Sequence, residues 1–87
     1  MKKLTPERRA LAQLHIVLAQ DAMANVSGLS NTSEPWRKLM RIRWDAERII
    51  QDELGLAMTK TWALLDGSKT FENFWHPDGT PKALAEQ

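Results

Sequence analysis

The segment Trp36-Arg37-Lys38-Leu39-Met40-Arg41-Ile42-Arg43-Trp44 carries the richest chemistry in this chain of 87 residues. Cations interleave with indole rings. Guanidinium groups pair with phosphates or carboxylates, and indoles stack on bases or fill apolar pockets. The pattern fits a nucleic-acid face or a face that docks an acidic protein. A helix, however, separates the two residue types. At about 100° per residue, Trp36 and Met40 turn inward while Arg37, Arg41 and Arg48 line the outer side. Asp45 and Asp52 follow Arg41 and Arg48 at the spacing of helical ion pairs. A solvated face with local pairing is the plainest reading of those charges. Trp44 falls at the edge of the apolar stripe, beside the arginines. It is expected to be partly exposed and to serve as the binding anchor.

Arg43 and Glu47 sit inside the apolar stripe of the same helix. A lone charge there is costly, so one reading pairs them with each other or across an interface. The other has Arg43 bury its aliphatic stem and keep its head in water. The pattern leaves both open.

Little else points to catalysis. His15 lies beside an apolar stripe, and its nearest candidate partners, Asp21, Glu47 and His76, have no ligand-like spacing to it. A core or interface histidine is expected. His76 precedes Pro77 in a turn and is expected to be exposed. The absence of cysteine excludes disulfides, thiolate metal sites and thiol nucleophiles. There is no phosphate-binding glycine loop, no G-x-S-x-G elbow and no H-E-x-x-H. No catalytic residue, metal or cofactor is expected.

The charge balance is mild. The net charge is +1, which neither demands nor forbids nucleic acid. Basic residues gather at Lys2, Lys3, Arg8 and Arg9 and again between Arg37 and Arg48. The start of the chain is interrupted by charges and reads as a mature helix rather than a secretory leader. No stretch approaches the length and apolarity of a membrane span. A cytoplasmic protein is expected.

Helices must position these groups. Thr5 is a natural N-cap and Pro6 suits a first helical position, so a helix is predicted over 6–26. Leu11, Leu14, Leu18, Ala22 and Val26 form its main stripe, which Ala12, Ile16, Ala19 and Met23 widen. Ser27 to Ser33 reads as a linker. Ser33 and Pro35 start a second helix. Its apolar phase continues past Gly55, so a helix over 35–66 is favoured, with a break at Gly55 as the competing reading. Trp36, Trp62 and Trp75 are assigned to the core. A short third helix over 69–75, capped by Ser68, brings Phe71, Phe74 and Trp75 against Trp62 and Leu65. A turn and irregular tail occupy 76–87.

The expected fold is therefore all-α: a single helical domain, a hairpin of two long helices plus a short third. Helix 1 is apolar around most of its circumference, more than one partner helix can cover. Completion of a bundle by homodimerisation is expected. The expected function is that of a small non-enzymatic regulator or inhibitor. It binds another protein through Arg37, Met40, Arg41, Arg43, Trp44, Glu47 and Arg48. The alternative is a nucleic-acid-binding regulator using the arginine face and the basic N-terminus.

Overall fold

The computed structural model describes residues 1–87 and is all-helical. Helix α1 spans Pro6–Val26 and α2 spans Glu34–Leu54. Helix α3 spans Met58–Asp66, α4 is a single turn at Phe71–Phe74, and a 3-10 turn covers Leu84–Glu86. The start signals act as their chemistry dictates. The Thr5 hydroxyl accepts the Arg8 N–H at 3.2 Å, and the Ser33 hydroxyl accepts the Trp36 N–H at 3.3 Å. Each cap satisfies a backbone donor that the first helical turn leaves unpaired.

Helices α1 and α2 form the expected antiparallel hairpin. Their contact is made by small side chains. Ala12, Ile16, Ala19 and Ala22 of α1 are buried, and so is Ala46 of α2. Alanine at a helix crossing allows close approach of the two axes. That choice turns the larger leucines away: Leu14 is 54% exposed and Leu18 43%. The stripe predicted to face the core is thus rotated toward its narrower alanine half.

The expected continuous helix over 35–66 does not form. Gly55 adopts a left-handed conformation at φ 65° and ends α2, its N–H bonding the Gln51 carbonyl at 2.8 Å. Left-handed backbone is open to glycine at little cost. The freed carbonyls at this end take partners from the N-terminal segment. The Lys2 N–H bonds the Leu54 carbonyl at 2.9 Å, and the Lys2 ammonium bonds the Asp52 carbonyl at 2.8 Å. After the break the helical phase is reset. Thr61, Leu64 and Leu65 are buried in α3, while Met58 and Trp62 face outward. The Thr61 hydroxyl is satisfied by the Ala57 carbonyl at 3.1 Å.

The short helix expected over 69–75 is the single turn α4. Thr70, not Ser68, precedes it, and the Asn73 side chain accepts the Thr70 N–H at 2.8 Å. Trp75 leaves the helix in extended form and pairs with Pro81 across the His76–Gly79 turn. Phe71, Phe74 and Trp75 pack together with centroids 6.1–6.2 Å apart along the chain Phe71–Trp75–Phe74. All three are buried, and each such side chain contributes about 1.5–3 kcal/mol by leaving water. Trp62 is not part of this cluster.

The first five residues run as a strap between the C-terminal end of α2 and the turn at Gly79. Leu4 is buried, the Leu4 N–H bonds the Gly79 carbonyl at 2.8 Å, and the Trp75 indole donates to the Lys2 carbonyl at 2.8 Å. Nearby, Arg9 of α1 reaches Glu72 of α4 at 2.8 Å and lies 4.9 Å over the Phe71 ring.

The strap leaves no room for a side chain at Gly79. A Cβ there would stand 2.5 Å from the Leu4 carbonyl oxygen, on a backbone at φ 89°. Gly28 has a similar φ of 84° but open space around it. Gly28→Ala is expected to cost about 1–2 kcal/mol, the left-handed penalty alone. Gly79→Ala should cost visibly more in urea unfolding, because the strap must move as well.

Glu72 generates a pH prediction. The Arg9 guanidinium, its main partner, holds the Glu72 carboxyl down from 4.5 to about 2. A carboxyl depressed in the folded state stabilises above its unfolded pKa and loses that contribution as pH falls through the folded value. The loss lies between pH 4.5 and about 2, and is small because both side chains are more than half exposed. Glu72→Gln should make acid destabilisation across that window shallower, as read from midpoint temperature against pH.

Candidate functional site

Helix α2 presents all seven predicted binding residues on one side. At about 100° per residue they span roughly half the cylinder, from Arg43 near the α1 contact to Arg41 at the outermost edge. Trp44 is 51% exposed, as its place at the stripe edge implies. Met40 is half-buried. Arg37, Arg41 and Arg48 are exposed.

The charges pair differently from the expected spacing. Arg48 reaches back to Asp45 at 3.4 Å rather than forward to Asp52. Asp45 is thereby taken from Arg41. Neither Arg37 nor Arg41 has an acidic partner within 4.0 Å. Two free guanidinium groups therefore flank Trp44.

Arg43 and Glu47 resolve into a pair. Their Nε–Oε1 distance is 2.9 Å, and the side chains are only 19% and 17% exposed. The same Glu47 oxygen accepts the Trp62 indole N–H at 3.1 Å. One carboxylate oxygen thus holds a cation on its own helix and a ring on the next. Further along α2, the Gln51 amide lies 3.1 Å from the Met58 sulfur. These two contacts seat α3 against α2.

The result is an aromatic strip along the α2–α3 side. Trp36 and Trp44 meet edge to face with centroids 6.2 Å apart. Edge-to-face packing suits the ring quadrupoles and holds both rings in place. Met40 lies between them on the helix, and Trp62 and Met58 extend the strip onto α3, both substantially exposed. Trp36 and Trp62 were assigned to the core by the sequence pattern. The structure places Trp36 at half burial and Trp62 at 45% exposure. The place of Trp62 in the strip depends on the break at Gly55, which local pattern did not favour.

The other candidates stand apart. His15 lies on the far side of α1 from α3. His76 is half-buried rather than exposed, with Nε2 3.3 Å from Glu86. A cleft of about 500 Å³ opens between the start of α1 and the 75–79 turn. Its polar groups satisfy one another. Arg9 bonds Glu72, the Lys82 ammonium bonds the Glu72 carbonyl at 2.8 Å, and Asp78 accepts the Thr80 hydroxyl at 2.6 Å. That hydroxyl, with the Thr80 N–H, holds the Asp78 carboxyl below its usual range. Nowhere do three histidine or carboxylate side chains converge as a metal site would require. No helix is long and apolar enough to cross a membrane.

No known protein family, curated protein or solved structure matches this chain. Function must be read from the geometry.

The Glu47 bridge makes a stability prediction. Glu47→Ala leaves Arg43 half-buried without its partner and Trp62 without its acceptor, at an expected cost of about 1–3 kcal/mol in urea unfolding. Glu34→Ala removes the exposed partner of Lys38 and should change stability by less than about 0.5 kcal/mol.

Proposed function

We propose that this chain is a small non-enzymatic regulator or inhibitor that docks the Trp44 side of α2 onto an acidic surface of another protein. One observation carries the reading. The strip of exposed Trp44 and Trp62 with half-buried Met40 is flanked by Arg37 and Arg41, which have no acidic partner of their own. Tryptophan, methionine and arginine are the residue types enriched where proteins bind proteins. A carboxylate-bearing partner would pair the free guanidinium groups while its apolar centre covers the rings.

Nucleic acid fits less well. Three of the four basic residues at the start of the chain are engaged elsewhere. Lys2 bonds the Asp52 carbonyl, Arg8 bonds the Lys3 carbonyl and Arg9 bonds Glu72. They do not extend the α2 arginines into a continuous track. Asp45 and Asp52 also interrupt that face, where phosphates would meet negative charge.

Affinity capture from a native cell extract, with and without nuclease, tests this. Wild-type protein should retain one specific protein whether or not nuclease is present. Trp44→Ala should lose it with helical content unchanged by circular dichroism, and Arg41→Ala should weaken retention. Retention that disappears with nuclease would overturn the protein-binding reading. So would retention indifferent to Trp44.

A further inference from the structure

We infer that the opposite side of the hairpin is a homodimer interface, with a second copy of this chain completing a four-helix bundle. Helices α3 and α4 cover only one side of the α1–α2 layer. On α1 that side is marked by Gln20, whose amide bonds the Leu65 carbonyl, and by Arg9, which bonds Glu72. Leu11, Leu14 and Leu18 lie on the other flank of α1. Ile42 and Ile49 lie on the matching flank of α2. Leu14, Leu18 and Ile42 are exposed, and Leu11 and Ile49 are half-buried. This surface is aliphatic, unlike the indole-rich strip across the molecule.

Its size suits a second copy. Helices of 21 residues are roughly 30 Å long and pack about 10 Å apart, giving a two-helix face of about 600 Å². Two such faces bury about 1,200 Å², the lower bound of stable protein interfaces.

Its pattern is also self-complementary. The helices are equal in length and joined by a short linker, so Ile16 and Trp44 stand at nearly the same height. A two-fold axis across the face about 2 Å from that height, level with the Asp45–Ala46 peptide of α2, sets the two copies antiparallel. Leu11 then meets the second copy's position 18, and Ile42 meets position 49. The same operation brings Lys38 beside position 53, a glutamate. The alternative axis, along the helices, would lay α2 over the second copy's α1 and bring Glu53 beside position 7, also a glutamate. In the monomer Lys38 is held only by a 3.5 Å exposed contact to Glu34, so it is free to turn to a new partner. Asp45, near the axis at the outer edge, is neutralised by Arg48. Each residue pair occurs twice, as an isologous interface requires. The Trp44 strips face away from the seam, so the dimer presents two docking sites.

Light scattering on a size-exclusion column tests this at about 100 µM protein, where even a micromolar dimer is nearly fully formed. The expected mass is near twice the 9.9 kDa of the chain. Leu18→Glu should return a folded monomer. Lys38→Glu alters only an exposed side chain and should raise the dissociation constant about tenfold. The double variant Lys38→Glu with Glu53→Lys should restore it. A wild-type monomer at that concentration would overturn the inference. So would a dimer unchanged by Leu18→Glu, or a charge swap no tighter than Lys38→Glu alone. None of these outcomes depends on capture of a partner through Trp44.

Discussion

The strap of residues 1–5 is the constraint on which the rest of the structure depends. It crosses the molecule between the end of α2 and the turn at Gly79, and its backbone groups join the two. The Lys2 N–H takes a carbonyl that α2 leaves open, and the Lys2 carbonyl takes the buried indole of Trp75. Leu4 fills the space between them. In a chain with only 16 buried residues, such bonds matter more than they would in a large core. They tie the hairpin to the α4 cluster.

The strap also belongs with the corner at Gly55. A Cβ at Gly55 would stand 3.2 Å from the Lys2 nitrogen, so the glycine both turns the chain and lets the strap pass. The corner redirects α3. That redirection places Trp62 against Glu47 and Met58 against Gln51, and these two contacts build the outer part of the aromatic strip. The proposed docking face is therefore a consequence of a backbone event some distance from its arginines.

Much of this was legible from local chemistry. The bounds of α1 follow from Thr5, Pro6 and the turn residues after Val26, and α2 begins within one residue of its expected start. These signals act within one helical turn. Arg43 and Glu47 pair because four-residue spacing places them together, and Trp44 is exposed because it stands at the stripe edge. The rest depends on contacts remote in sequence. Whether Gly55 ends a helix is decided by Lys2, which no periodicity connects to it. Trp62 looked like core because an unbroken helix would have carried it there. In α1, leucine and alanine are equally apolar to a pattern, yet the need for close helix approach buried the alanines and exposed Leu14 and Leu18.

Residue-resolved hydrogen–deuterium exchange tests the strap and corner most directly. Lys2, Leu4 and Gly55 donate backbone amide hydrogen bonds here, whereas the amides of Leu56 and Ala57 have no backbone carbonyl partner. The amides of Lys2, Leu4 and Gly55 should be protected together and exchange only when α2 does. Leu56 and Ala57 should exchange much faster. Free exchange at Lys2 and Leu4, with protection running unbroken from α2 through Ala57 into α3, would show one continuous helix. It would contradict the placement of Trp62 and the strip built on it.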